Sequence, residues 1–321
     1  MARKRIRIAN NEDIITLDKA FSDFMKKAKV RNLSNETMKT YQNVINIFFE
    51  FVDSETKVKD ISENNIDEYV FWLKENKEIR DTTIINYVRH LRVFLYYCMD
   101  CGYLKKFKIS IPKSDKEIKE TYTDDELKRL LKKPDLKKCT FTEYRIWVFE
   151  NYLLATGNRI STALNLKIKD IDFVSGVITL RKTKNRHQQI IPLSHTLADI
   201  LTEYLVYREG NEEDYVFCND FGEKGAKRTY QQAVYRYNIK RNVNKTSCHL
   251  FRHTFAKKWI LNGGDIFRLQ KILGHSSMDI VKEYVNMFSC DLKVGFSDFN
   301  PLDTLENPSR TKIKMGGAGR C

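Results

Sequence analysis

The chain lacks the long hydrophobic runs that mark membrane proteins. None of its 321 residues lie in an apolar stretch of about 18 residues, so the sequence predicts no membrane span. The positive charge near the N-terminus is not followed by an apolar stretch, which argues against a secretory signal. We therefore expect a cytoplasmic protein.

Cysteine is present but forms no pattern that indicates a disulfide or metal framework. The seven cysteines are odd in number and irregularly spaced, which favours free thiols in a reducing compartment. Cys98 and Cys101 form a CxxC pair in a helical stretch, but no second pair accompanies it. There is no zinc spacing, P-loop or nuclease-type cluster of paired carboxylates. The sequence predicts neither a metal nor a cofactor.

Acidic residues are outnumbered by basic ones. The chain has 56 lysines and arginines against 42 aspartates and glutamates, a formal net charge of +14. Such an excess favours binding to nucleic acid, although a generic basic surface is the alternative. Residues 1–11 form a basic N-terminal arm that contains Arg3, Lys4, Arg5 and Arg7. This arm either contacts DNA or is a solvated tail.

Periodicity divides the chain into two domains. Residues 12–108 carry helical spacing in four segments, about 16–29, 34–48, 62–76 and 81–101, without a convincing strand. A basic, proline-broken stretch follows, and we place the interdomain linker at 109–118. Residues 119–302 form a mixed second domain, and the polar tail 303–321 is expected to be mobile.

The second domain contains one predicted pair of strands. Val177–Leu180 follows a Ser-Gly turn, and Gln189–Leu193 is its expected partner. The loop between them is basic and includes Lys182 and Lys184. From residue 194 onward the pattern is mainly helical.

The most informative feature is a set of polar residues at fixed spacing. Arg159 lies in a Thr-Gly-Asn-Arg-Ile-Ser turn, and His249 and Arg252 share a His-Leu-Phe-Arg segment. His275 ends a Leu-Gly-His segment, and Tyr284 follows nine residues later. A phenol can attack a phosphodiester when fixed cations hold the phosphate oxygens, and arginine suits that task because its planar fork stays charged. The set indicates a DNA strand-transfer enzyme.

Taken together, these motifs resemble the tyrosine recombinases, also called phage integrases. The resemblance covers essentially the whole chain and includes the helical first domain and the strand–lysine loop–strand unit. It implies a mainly α fold with a small β-sheet. A helical, SAM-like core-binding domain and a mixed α/β catalytic domain would form a C-shaped clamp on DNA.

The resemblance also implies a role for each motif residue. Tyr284 would attack the scissile phosphate and leave a 3′-phosphotyrosyl bond and a free 5′-hydroxyl, so that religation needs no ATP. Arg159 and Arg252 would hold the nonbridging oxygens. His249 would assist proton transfer, and His275 would donate to a nonbridging oxygen.

In this family a lysine of the β-turn protonates the leaving oxygen. Counting back eight residues from Pro192 selects Lys184. Lys182 is the alternative, because the two lysines could exchange places after a shift in register.

Two positions depart from the family pattern. Thr162 stands three residues after the first arginine, where relatives usually carry a Glu or Asp that supports this arginine, so the supporting carboxylate is absent here. Asn158 is more polar than is usual just before that arginine. His253, although it follows Arg252, holds a position in the motif that is structural rather than catalytic.

The expected partners are double-stranded DNA recombination sites, further copies of the chain in a homotetramer, and accessory DNA-bending or directionality proteins. We predict the recombinase of a mobile genetic element, with a Xer-like resolvase of chromosome or plasmid dimers as the alternative. A catalytically inactive DNA-binding relative and a type IB topoisomerase are less favoured. The segment after Tyr284 carries apolar side chains at helical spacing, namely Phe288, Leu292, Phe296 and Phe299. Such a segment suits docking on a neighbouring protomer or packing on its own protomer.

Overall fold

The computed structural model describes residues 15–113, 120–181 and 188–274, together with residues 278 and 300. The chain divides into two compact units, residues 1–117 and 118–321. The described part is mostly helical, and its strands form one small antiparallel sheet. The predicted fold class, mainly α with a small β-sheet, is thereby confirmed. No helix among these residues is long and apolar enough to cross a membrane.

The described residues of the first unit form four α-helices. They are α1 (Leu17–Val30), α2 (Asn35–Phe49), α3 (Glu63–Asn76) and α4 (Asp81–Asp100). A short 3₁₀ turn over Val58–Asp60 precedes α3. Side-chain oxygens cap α1 and α2, because Thr16 accepts from the amide of Lys19 and Ser34 accepts from the amide of Thr37.

The core of the first unit is rich in aromatic rings. Phe21 of α1 meets Phe94 of α4 edge to face, with ring centroids 5.4 Å apart. Phe24 contacts Tyr41 of α2 in the same manner at 5.0 Å. Ile109 is buried in this core as well, so the packed chain continues past residue 108. The core of the first unit thus reaches the first residue of the predicted linker, 109–118, whose bounds stay a prediction.

The second unit surrounds a central helix. Its described residues form α5 (Asp124–Leu130), α6 (Phe141–Thr156), α7 (Ile160–Ala163), β1 (Ile171–Asp172), β2 (Val177–Leu180), β3 (Gln189–Pro192), α8 (His195–Arg208), α9 (Lys227–Lys240), α10 (Cys248–Leu261) and α11 (Ile266–Leu273). A 3₁₀ turn over Ile168–Asp170 leads into β1. Helix α6 packs against α8, α9 and α10. Its sides are buried nearly all round, as expected of a helix at the centre of a domain.

The sheet has the strand order β1-β2-β3, with both pairs antiparallel. Ile178 of β2 lies opposite Ile191 of β3, and both are buried against the core. The strand pair β2–β3 agrees with the pattern in the sequence. The short strand β1 was not predicted, because two residues are too few to show alternation.

Candidate active site

The turn that carries Arg159 is fixed by a glycine. Helix α6 ends at Gly157, whose φ of 63° lies in the left-handed region. A Cβ at this position would come within 2.6 Å of Phe255 and 2.7 Å of Leu273. Only glycine fits both the backbone conformation and the space, which explains the glycine of the first motif.

Arg252 joins this turn to the end of α11. Arg252 is 3% exposed, and its guanidinium donates from Nη1 to the carbonyl oxygen of Gly157, at 2.9 Å. It also donates from Nη2 to the carbonyl oxygen of Leu273, at 2.9 Å. Helix α10, which carries Arg252, packs directly on α6. One buried cation thus holds together three segments that are far apart in the sequence.

A second glycine shapes the Leu-Gly-His motif. Gly274 ends α11 with φ 62° and ψ 44°, again left-handed. Its Cβ would lie 2.8 Å from Oε1 of Gln189, a residue at the start of β3. The Nε2 of Gln189 donates to the carbonyl oxygens of Lys271 and of Ile272, the latter at 2.8 Å. The strand that follows the lysine loop is therefore bound to the residues that precede His275.

Arg159 and His249 lie next to these contacts. Arg159 is half-buried and occupies the N-cap position of α7, where its carbonyl accepts from the amides of Thr162 and Ala163. His249 is exposed on the first turn of α10, three residues before Arg252 and hence on a neighbouring part of the same face. Its ring centroid lies 5.8 Å from that of His253.

The departure at Asn158 has a structural reason. Its side chain is buried and donates from Nδ2 to the hydroxyl of Tyr152, at 2.8 Å, while its own amide donates to Oγ1 of Thr156. Burial raises the pKa of the Tyr152 phenol, so this hydroxyl stays protonated. The polar side chain thus anchors the turn to α6 from within.

Thr162, the other residue that departs from the family pattern, is buried as well. Thr162 is 6% exposed on α7, and its amide donates to the carbonyl of Arg159 at 2.9 Å. A carboxylate in this position would require a partner for its charge, whereas the hydroxyl of threonine does not.

Behind the site, α6 and α10 bury two titratable groups. Burial raises the pKa of the Cys248 thiol to about 12, so the residue just before His249 is an inert thiol. Burial also raises the pKa of the Glu150 carboxyl well above its ordinary value. Neither carboxyl oxygen of Glu150 finds a hydrogen-bond partner within the described residues.

Four of the predicted residues lie outside the described part of the chain. They are Lys182, Lys184, His275 and Tyr284. The apolar positions after Tyr284 and the tail 303–321 are outside it as well. No group of His, Cys, Asp and Glu suited to a metal ion occurs among the residues that are described.

Gln189 was not identified from the sequence. Its partners are 82 and 83 residues away in the chain, and a single glutamine at the start of a strand carries no local signal. Only the meeting of β3 with the end of α11 gives it a role.

The described geometry suits a site for a phosphate group. Two arginines and a histidine lie on segments that converge at the left-handed turns of Gly157 and Gly274. Fixed guanidinium groups of this kind stabilise the negative charge that builds up in phosphoryl transfer.

Comparison with known proteins identifies the family. The Phage integrase family matches residues 120–289, and the Phage integrase SAM-like domain matches residues 16–115. The chain belongs to the phage integrase family of tyrosine recombinases.

Curated relatives align over nearly the whole chain. The tyrosine recombinase XerD of Oceanobacillus iheyensis is 24% identical over 298 residues, which cover 89% of this chain and 99% of the relative. XerD of Listeria innocua is 26% identical over 285 residues, with 84% and 94% covered.

Solved structures share the fold. The Tn1549 transposon integrase in complex with transposon right end DNA aligns with a TM-score of 0.70 and 20% identity, covering 85% of this chain and 95% of that one. A lambda integrase dimer bound to a core site aligns with a TM-score of 0.66 and 17% identity, covering 83% and 97%. XerH bound to its difH substrate gives a TM-score of 0.61 at 23% identity, covering 84% and 81%.

Proposed function

We propose that the chain is a site-specific DNA recombinase that cuts and rejoins strands through a 3′-phosphotyrosyl intermediate. The observation that carries this proposal is the pair of hydrogen bonds from Arg252 to Gly157 and Leu273. These bonds draw the turn of Arg159 and the segment leading to His275 onto the helix of His249. Arg159, His249 and Arg252, which are scattered in the sequence, then lie on segments that meet.

In this proposal the two arginines hold the scissile phosphate. A guanidinium carries five N–H donors, so Arg252 can serve two carbonyls and a phosphate oxygen at once. Its burial against the protein fixes its direction before DNA arrives, which lowers the reorganisation required in the transition state. Arg159, half-buried at the start of α7, supplies the second guanidinium group.

Proton transfer is assigned to the remaining residues. Lys184 protonates the 5′ oxygen as it leaves, His249 assists this transfer, and His275 donates to a nonbridging oxygen. Tyr284 attacks the phosphorus and stays bound to the 3′ end. The energy of the broken phosphodiester is kept in the new bond, so the free 5′-hydroxyl can reverse the step without ATP.

The nucleophile can be tested with a suicide substrate, in which the cleaved 5′ end diffuses away and the covalent adduct accumulates. Tyr284→Phe loses only the attacking oxygen, so we expect normal DNA affinity and no adduct. Tyr235→Phe is the matched control, because Tyr235 is 53% exposed on α9 and lies outside the motifs. An adduct of normal yield from Tyr284→Phe would overturn the assignment.

For the biological role, we propose the recombinase of a mobile genetic element acting on double-stranded recombination sites in the bacterial cytoplasm. A Xer-like resolvase of chromosome or plasmid dimers is the second candidate, and the XerD relatives favour it. The DNA that flanks the gene separates the two. Inverted repeats and mobilisation genes beside it would support the first role, and their absence together with resolution of plasmid dimers would support the second.

We further propose that synapsis uses a homotetramer in which the segment after Tyr284 docks on a neighbouring protomer. Its apolar spacing, from Phe288 to Phe299, supports this. Deletion of residues 289–321 should leave binding to a single site intact and impair synapsis. Tetrameric complexes formed by the truncated protein at normal yield would contradict docking between protomers.

A further inference from the structure

The end of α11 receives hydrogen bonds from two separate parts of the fold. The last carbonyls of a helix have no partner inside it and need donors from elsewhere. At α11, the carbonyl of Leu273 accepts from Arg252 of α10, and the carbonyls of Lys271 and Ile272 accept from Gln189 of β3. The helix end is thus held from both sides, directly before the residue that continues into His275.

Gln189 lies at the end of β3 that is next to the lysine loop, so its contact with α11 links two parts of the site. Gln189 pairs with Leu180 at the end of the β2–β3 ladder where the lysine loop leaves the sheet. One strand residue therefore binds the α11 end while it closes the loop that contains Lys184. Its Oε1 also occupies the space beside Gly274 that a Cβ would need.

We infer that Gln189 is a positioning residue of the active site, which acts through His275. Its amide fixes the last turn of α11, and so sets where the chain beyond Gly274 begins relative to the lysine loop. The inference rests on the proposed function, because His275 needs to be positioned only if it donates to the scissile phosphate during strand cleavage.

The contact is better suited to positioning than to stabilising the domain. Gln189 is half-buried, and its removal leaves no large apolar cavity. In contrast, a small shift of a catalytic group is expensive, since a displacement of about 1 Å can cost about 100-fold in rate. Loss of the amide should therefore appear in the rate of cleavage rather than in folding.

The test uses the full chain and single-turnover cleavage of a suicide substrate. Gln189→Ala removes the amide, and Gln189→Glu keeps the shape but replaces the donor by an oxygen that faces two carbonyl oxygens. We expect both variants to cleave about 10- to 100-fold more slowly, with DNA affinity unchanged. Ile190→Ala is the control, because this neighbour on β3 is 68% exposed.

A double-mutant cycle with His275→Ala shows whether the effect passes through His275. In that background Gln189→Ala should cost less than about twofold, because the group that it positions is already gone. An equal loss in both backgrounds, or wild-type cleavage by Gln189→Ala, would overturn the inference.

Hydrogen exchange provides a readout that does not depend on activity. The amides of the last turn of α11 should exchange faster in Gln189→Ala, while those of α6 and α8 should keep their protection. Unchanged exchange at α11 would also overturn the inference. The adduct test with Tyr284→Phe is independent of this result, so failure of the positioning role and failure of the proposed function can be told apart.

Discussion

The guanidinium of Arg252 donates a hydrogen bond to the carbonyl oxygen of Gly157, at 2.9 Å, across 95 residues of sequence. This bond connects the central helix α6 to α10 and depends on the left-handed turn at Gly157. Phe255 and Leu273 pack closely on this turn, so that a Cβ on Gly157 would come within 2.6 and 2.7 Å of them. Substitutions near this contact should therefore affect stability and catalysis together.

Gly157→Ala should destabilise the second unit by about 2–4 kcal/mol, because it combines a left-handed φ with overlap against two side chains. Thermal or urea unfolding measures the change. Gly176→Ala is the matched control, since its φ of 64° is nearly the same but nothing lies within 4 Å of its Cβ. We expect about 1–2 kcal/mol from the control, which is the backbone cost alone. Equal losses would mean that the close packing at Gly157 is unimportant.

Tyr152→Phe should cost about 1–3 kcal/mol, because it leaves the buried amide of Asn158 without its acceptor. Unfolding of the single and double variants tests the coupling. Adding Asn158→Leu removes the stranded amide as well, so the double variant should lose less than the sum of the two single changes. Simple additivity would show that the two side chains do not depend on each other.

Glu150→Gln should make stability less dependent on pH. Burial raises the pKa of Glu150 in the folded chain above the ordinary value of 4.5, so the folded state favours the protonated acid. The contribution of Glu150 to the free energy of unfolding is therefore most favourable below about pH 4.5. It declines as the pH rises towards the pKa of the folded state, by at most about 1.4 kcal/mol per pH unit.

Melting temperatures measured from pH 4.5 to pH 8 test this expectation. The glutamine variant and the wild type should be similar at the acidic end, and the variant should be the more stable at the alkaline end. Two parallel curves would show that folding does not raise the pKa of Glu150.

Lys184→Ala should slow strand cleavage by about 100- to 10,000-fold, as expected for loss of a general acid, and Lys182→Ala much less. A substrate with sulfur at the 5′-bridging position tests the role, because a thiolate leaves without protonation and should rescue the Lys184 variant. If the large defect and the rescue belong to Lys182, the register of the lysine loop differs by two residues.

The sequence by itself determined the class of fold and the family. Helical spacing, the strand pair β2–β3 and the glycine turns are local properties of the backbone, so composition and periodicity reveal them. The order of the motifs was specific enough to indicate the family, which the comparisons confirm. Local pattern was weaker at β1, which is too short to alternate, and at Ile109, whose burial depends on a distant core.

The tertiary structure alone decided how the motif segments meet. Arg252 reads in the sequence only as a cation in an apolar segment, and its bonds to Gly157 and Leu273 appear once α10 packs on α6. Gln189 has no local signal, because its partners lie more than 80 residues away. Every residue carries a backbone carbonyl that can accept a hydrogen bond, so the acceptor of such a bond can be any residue type. The amino-acid sequence therefore contains no motif that predicts these hydrogen bonds.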